Sequence, residues 1–362
     1  MDSKSGLKTY LKHFLGRFEP ALETYLKEKT ANLGALDSSG QEIARVVSMF
    51  ASGGGKRIRA ALVEIGYRAG GGEDSDRILK PAIAIELLHA FFLIHDDLID
   101  RSDLRRNKPT VHRVFKSNYR GLLKNFGNRD REHFAESMAL LAGDLCCAMA
   151  YEAITKSDFP PERLLLALKK MHATVDVTVI GQVLDILTPL KRMVSEEEIT
   201  KIHRFKTACY TFEGPLQFGM ILAGAGAEKL ETISQYAIPI GIAFQVKDDL
   251  LGIFGSEEEV GKPVTSDLEE GKETLLTVFA QAHGSQTQRN QIASFVGKHP
   301  ISIDELNDVR GILREIGAVS YCETRMHELV QKGKKALENL GLQEDITTIL
   351  VGLADLSIGR TT

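Results

Sequence analysis

Tryptophan is absent from this 362-residue chain, and it holds only four cysteines and ten prolines. Cys146, Cys147, Cys209 and Cys322 form no C-x-x-C pair and no His/Cys ligand spacing. That excludes a disulfide framework and a zinc site, and predicts buried free thiols in a reducing cytosol. The first thirty residues lack an apolar signal core, because Lys and Glu interrupt them throughout. No uninterrupted apolar run reaches the length of a membrane span, so no transmembrane segment is expected and the location expected is cytoplasmic. Nor is there a strong excess of one charge. With 45 Lys and Arg against 49 Asp and Glu, the net charge is −4. Nothing general draws such a chain to nucleic acid or to an anionic membrane, so any phosphate binding must come from local basic clusters.

What is present is ordinary globular material, 43% apolar and 26% charged. Apolar residues recur at three- and four-residue spacing. Ile83, Leu87, Ala90, Phe91 and Ile94 form one stripe, and Leu164, Leu165, Leu168 and Met171 begin another after Pro160-Pro161. Sustained period-two alternation is lacking, so the fold class predicted is all-α. Gly53-Gly54-Gly55 and Gly70-Gly71-Gly72 read as loops between helices. Asn118 to Glu132 and Gly252 to Gly271 read as exposed connections, and Ser285 to Thr362 as packed helix without chemistry. No linker or repeat divides the chain, so 1–362 is expected to be one domain with a helical extension over 1–40.

The richest segment runs from Leu87 to Asp100, an apolar helix face ending in Asp96, Asp97 and Asp100. Asp96 and Asp100 lie at i and i+4, and Asp97 lies close to the same face, where like charges repel. A hard cation between them removes that cost, and Mg²⁺ takes one or two carboxylates together with substrate phosphates. A solvated acidic helix end is the competing reading of this cluster alone. Arg105 and Arg106 follow it, offering planar forks suited to diphosphate oxygens.

A second apolar helix, from Ile238 to Phe244, leads into Asp248-Asp249. Two helices ending in the same chemistry make sense if they face one another across a metal-bound polyphosphate. Positive charge comes from Gly54-Gly55-Lys56-Arg57-Ile58-Arg59, from Lys206-Thr207 in an apolar helix, and from Lys262 and Lys272. The glycine-rich segment lacks Walker A spacing, which argues against a nucleotide loop.

These motifs resemble those of the trans-type polyprenyl diphosphate synthases. The resemblance rests on G-G-K-x-x-R (Gly54 to Arg59), D-D-x-x-D followed by R-R, Gly143-Asp144, Gly181-Gln182, Lys206-Thr207 and F-Q-x-x-D-D (Phe244 to Asp249). It implies about ten core helices around a deep cavity, and a homodimer. It also implies that Asp96, Asp100 and Asp248, supported by Asp97 and Asp249, bind three Mg²⁺ ions holding an allylic diphosphate (dimethylallyl, geranyl or farnesyl). Arg105, Lys206 and Lys262 would contact that diphosphate. Lys56, Arg59, His89 and Arg106 would hold isopentenyl diphosphate, with Lys272 nearby. Oxygens of Thr207, Gln245 and the Lys206 carbonyl would face the allylic cation. No nucleic-acid partner is implied. Two positions depart from the pattern: Gly252 stands where many relatives carry a third aspartate, and Asn107 replaces a common glycine.

Phe91 and Phe92 precede Asp96 by five and four residues, about one 5.4 Å turn below the metal site. Two adjacent rings there resemble the arrangement in farnesyl diphosphate synthases. A fifteen-carbon product is therefore expected, with twenty-carbon geranylgeranyl diphosphate as the alternative and ordinary core packing as the competing role for the rings. A class I terpene cyclase is disfavoured, since Gly311 stands where its second site after Asn307-Asp308 would need Ser. A silent regulatory subunit is disfavoured because both acidic clusters and the basic residues are retained.

Overall fold

A computed structural model of the protein describes residues 3–191, 193–260 and 263–359. Seventeen α-helices and one two-stranded hairpin are found among them. The helices that matter for the site are α1 (Ser3–Gly34), α2 (Ser38–Ala51), α3 (Ile58–Ala69), α4 (Leu79–Ile99), α5 (Val111–Asn118), α6 (Asn128–Thr155), α7 (Pro161–Leu187), α8 (Glu196–Ile202), α9 (Gly214–Ala223) and α10 (Ala227–Phe254). Seven more follow, from α11 (Glu257–Val260) and α12 (Ser266–Glu269) to α17 (Glu344–Ile358). The all-α class predicted from periodicity holds.

The stripe on α4 explains its place at the centre. Ile83, Leu87, Ala90 and Ile94 are all buried, as are most residues between them, so the helix is covered on nearly every side. α6 lies against it with a face of small residues, Ala135, Ala139, Ala142 and Gly143, that lets the two axes approach closely. The N-terminal segment is no appendage. Leu7, Tyr10, Phe14, Phe18, Leu22 and Leu26 recur at helical spacing and are buried, and Phe14 and Phe18 stack at 5.1 Å. α1 packs on both α2 and α17, joining the two ends of the chain.

Two sequence expectations change. The stretch Gly252 to Gly271 is not simply an exposed connection: α10 continues to Phe254, and Val264 and Leu268 are buried. Asn118 to Glu132 includes a 3-10 turn, Leu122–Asn125, and the start of α6. Two helical stretches, Asn128–Thr155 and Pro161–Leu190, are also long and apolar enough to cross a membrane by length and composition. Neither is an uninterrupted apolar run. Asp144 and Asp176 interrupt them, and the inward face of α6 packs in the core.

Beneath the loop before α3, Arg57 is buried with a left-handed backbone (φ 49°) and binds Glu19 at 2.8 Å and Glu86 at 3.2 Å. This arginine is structural and anchors the loop that carries Lys56 and Arg59. Arg57→Ala strands the buried Glu86 carboxylate and is expected to cost about 3–5 kcal/mol of stability. Urea titration followed by circular dichroism measures it; a loss no larger than that of a surface substitution would refute the anchoring role.

Candidate active site

Helices α8 and α9 are joined without a break by a π-helical segment, His203–Glu213. Lys206 and Thr207 sit on it, not on a regular α-helix as the sequence suggested. π-Helical geometry is rare and frequent at functional sites. This segment reaches both acidic clusters. Lys206 Nζ lies 2.6 Å from Asp185 of α7 and 3.5 Å from Asp96 of α4. Thr207 donates to Gln245 Oε1 at 2.6 Å, and Gln245 Nε2 donates to Asp249 Oδ1 at 2.9 Å. His203 Nε2 stands 3.0 Å from Asp249 Oδ2. α7 can approach the segment because Gly181 has no side chain: a Cβ there would overlap the Lys206 backbone nitrogen.

The first cluster ends α4. Asp97 is buried and accepts from Arg105 Nε at 2.6 Å, while Arg105 Nη2 donates to Asp96 at 3.1 Å. Asp100 is bound by Lys272 Nζ at 3.2 Å. The environments differ, and so do the acidities. Burial alone would raise Asp96, but Lys206, Arg105 and Lys272 outweigh it and hold the carboxyl at about 2. Burial prevails at Asp97 over the nearby Arg105 and pushes it up to about 6. Lys206 and Lys272 are themselves raised: burial opposes their charge, and the surrounding carboxylates overcome it. Both remain cationic.

A second group gathers around His89. Arg59 Nη1 lies 3.2 Å from His89 Nε2, and Arg59 Nη2 donates to Tyr210 at 2.7 Å and Thr211 at 2.8 Å. Burial, reinforced by Arg59, Arg106, Arg105 and Arg57, drives the His89 pKa well down, so the ring is neutral. Arg106 donates to the Gly54 carbonyl and approaches Gly55. Lys56 is exposed beside them. The structure therefore brings Arg59 and His89 together at one place and Arg106 and Lys56 at the adjoining loop. Lys272 is not with them; it faces Asp100, Glu270 and Asp267 (4.0 Å). Asp248 is exposed near the end of α10, and Lys262 lies outside the described residues.

Both departures from the motif acquire physical reasons. Arg106 and Asn107 form the two-residue turn between β1 (Leu104–Arg105) and β2 (Lys108–Pro109), with φ of 52° and 59°. A turn of that hand needs positive φ at both positions, which Asn tolerates nearly as well as Gly. At Gly252, a Cβ would overlap Asp267 Oδ2. The space beside the second cluster is already filled by a carboxylate from α12. Sequence reading missed Asp267, because it lies in the stretch taken as an exposed connection. It also missed Asp185, although the position four residues after Gly181 lies on the same side of α7. His203, Tyr210 and Thr211 carried no signal in the sequence.

Among the described residues no three acidic, His or Cys side chains converge tightly enough to cage a metal ion. The donors nonetheless fit Mg²⁺, which is usually held by one or two carboxylates while substrate phosphates complete its shell. Among the described residues, buried polar atoms without a hydrogen-bond partner include Asp97 Oδ2, Arg59 Nε, Gln182 Nε2 and His203 Nδ1. A site in which buried groups await partners is built for a polar occupant.

Two acid-bearing helices linked through buried lysines and a π-helical segment point to a diphosphate-handling enzyme, and comparison with known proteins agrees. The family model described as Polyprenyl synthetase matches residues 40–313, and the chain belongs to that family. It is an enzyme, a prenyltransferase. The geranylgeranyl diphosphate synthase of Methanosarcina mazei is 31% identical over 320 residues, 88% of this chain and 90% of that protein. The (2E,6E)-farnesyl diphosphate synthase of Mycobacterium tuberculosis is 32% identical over 309 residues, covering 84% and 80%. The crystal structure of geranylgeranyl pyrophosphate synthase from Corynebacterium glutamicum, complexed with isoprenyl diphosphate and magnesium, superposes with a TM-score of 0.90. That pair is 31% identical, and 98% of this chain and 99% of that one are covered.

The packing at Gly252 predicts an outcome. Gly252→Asp drives a side chain into Asp267 and is expected to lose about 1–3 kcal/mol of stability. Adding Asp267→Ala should recover part of it. A thermal melt in which Gly252→Asp matches the native chain would show that Asp267 does not fill this space.

Proposed function

We propose that the protein is a short-chain prenyl diphosphate synthase that joins an allylic diphosphate head-to-tail to isopentenyl diphosphate. The observation that carries this reading is the π-helical segment, which holds Lys206 against Asp96 and couples Thr207 and Gln245 to Asp249. Asp96, Asp100 and Asp248 would bind Mg²⁺, with Asp97 and Asp249 in support. Bound Mg²⁺ supplies charge neutralisation at the departing diphosphate. Lys206 and Arg105 add fixed positive charge beside that group, stabilising the charge as it develops. Thr207 and Gln245 present oxygens toward the allylic carbon. Arg59, Arg106, Lys56 and neutral His89 hold the isopentenyl diphosphate, whose terminal alkene carbon attacks. The proton then lost passes to the released diphosphate, so no nucleophile from the protein is needed. Burial of Thr207 and His89 beside the reacting carbons would help keep water from quenching the cation.

The assay uses purified protein, Mg²⁺, isopentenyl diphosphate and the five-, ten- and fifteen-carbon allylic diphosphates in turn. Diphosphate release is expected with at least one. None with any of them would favour a silent subunit.

For product length we favour fifteen carbons. Phe91 and Phe92 are half-buried one turn below Asp96, 5.0 Å apart, and Phe92 meets Tyr210 edge-on at 5.3 Å. Phe91 meets His95 at 4.8 Å, so the two rings are braced from different sides. Twenty carbons is the second reading, supported by the Corynebacterium and Methanosarcina relatives, both geranylgeranyl diphosphate synthases. Phe91→Ala with Phe92→Ala is expected to shift products upward by one or more five-carbon units, read by chromatography after dephosphorylation. An unchanged distribution would rule the rings out as the floor.

A homodimer is also proposed. α7 exposes Leu165, Leu166, Ile180, Val183, Ile186 and Leu187, and α6 exposes Leu140 and Leu141. A contiguous apolar face of this kind marks an interaction surface, and a second copy with the same face would cover it. Ile180→Glu with Val183→Glu is expected to give a monomer by size-exclusion chromatography with light scattering. A native chain that is itself monomeric would overturn the proposal.

A further inference from the structure

Beyond Arg105 and Arg106, the proposed reaction leaves most of one basic face unused. Between Arg101 and Arg131 the sequence places ten Lys and Arg against two Asp, in a chain whose acids outnumber its bases. This stretch comprises the hairpin, α5, the 3-10 turn Leu122–Asn125 and the first residues of α6.

Two adjoining concavities open on it. One, of about 340 Å³, is walled by Met49, Phe50 and Val114 and edged by Arg105, Arg106 and Lys108. The other, of about 290 Å³, is lined by Arg113, Lys116, Ser117, Arg120, Leu123 and Arg131. Arg113 and Ser117 belong to both. The face therefore runs without interruption from Arg105 and Arg106, at the catalytic rim, to the turn before α6.

Some of this charge is spent within the fold. Glu132 binds Arg113 and Lys116, Asp103 binds Arg113, and Arg131 donates to the carbonyls of Phe126 and Lys124. Lys108, Arg120, Lys124 and Arg129 are exposed, and none has an ion pair or side-chain hydrogen bond among the described residues. Beside them stand large apolar side chains with no cover. Leu122 is 75% exposed, Phe126 54% and Leu104 42%.

Free cations interleaved with exposed Leu and Phe are the composition of a surface that lies on a lipid interface. Cations gain from the negative potential of anionic lipid, and apolar side chains gain by entering the boundary between headgroups and acyl chains. A nucleic-acid surface would use the cations and leave Leu104 and Leu122 without a role.

We propose that this face docks the protein on an anionic phospholipid surface. Lipid phosphates meet Arg120, Lys124 and the concavity between α5 and the start of α6, while Leu122 and Phe126 enter the headgroup layer. Docked so, the catalytic rim at Arg105 and Arg106 opens beside the bilayer, the phase into which an apolar-tailed product partitions. The inference stands on charge and exposure, independently of product length.

The test is co-sedimentation of the full chain with phosphatidylcholine vesicles and with vesicles that also contain phosphatidylglycerol. Binding only to the anionic vesicles, weakening as salt rises, is expected. Arg120→Gln with Lys124→Gln should weaken it by about thirtyfold, at roughly fivefold per charge. Leu122→Ser with Phe126→Ser should weaken it while leaving the salt dependence in place. Activity on soluble substrates and oligomeric state are measured on each variant to establish that it folds. The native chain decides alone if a variant does not. Equal binding to neutral vesicles, no binding to anionic ones, or displacement from them by DNA would overturn the proposal.

Discussion

Crowded carboxylates are the constraint on which this site turns. Asp96, Asp97, Asp100, Asp185 and Asp249 are brought together from three helices and withdrawn from bulk water. Like charges so placed destabilise the fold unless cations stand among them. Lys206 and Lys272 fill that role, each binding carboxylates from two different segments. In the proposed reaction Lys206 would also meet the allylic diphosphate, so a group that balances these carboxylates is one an anionic substrate would recruit. Arg105 works likewise, bound to Asp96 and Asp97 yet presented at the rim.

The π-helical segment is the backbone expression of that constraint. A regular α-helix over residues 203–213 would turn Lys206, Thr207 and Tyr210 through different angles. The wider winding lets one short segment serve three neighbours: Asp96 on α4, Asp185 on α7 and Gln245 on α10. Two small residues make this possible. Gly181 and Gly241 both abut the segment where a Cβ would collide, with Lys206 in one case and Ala208 in the other. The glycine in Gly181-Gln182 therefore has a packing explanation that owes nothing to turns.

Much of this was legible in the sequence, and the limits are physical. The stripe on α4 and the spacing of Asp96 and Asp100 are local properties, and local periodicity reports them directly. The left-handed pair Arg106-Asn107 was not legible, because the hairpin that requires it is seen only in the fold. What failed was non-local. Nothing near Gly252 in the sequence says that Asp267 occupies its side-chain space. The family pattern puts Lys272 near the isopentenyl diphosphate group, and only the fold shows Asp100 3.2 Å away. The π-helical winding is invisible too, because its apolar residues still recur at nearly helical intervals. Charge showed the opposite fault: a whole-chain balance of −4 hid a strongly basic stretch between Arg101 and Arg131.

The geometry of α4 couples two properties that could have been independent. Its last turn carries the carboxylates, and the turn before carries Phe91 and Phe92. Tyr210 joins Phe92 to the Arg59–His89 group, since it meets Phe92 while Arg59 lies 4.5 Å from its ring centroid. Bulk at positions 91 and 92 can change without disturbing Asp96 or Asp100, because one helical turn separates them and the side chains at stake are half-buried. A change at Tyr210 has no such freedom: it alters the packing of Phe92 and the Arg59–His89 contact together. In the proposed synthase, variation in chain length would therefore be easiest on α4 itself, with a single turn of helix between it and the chemistry.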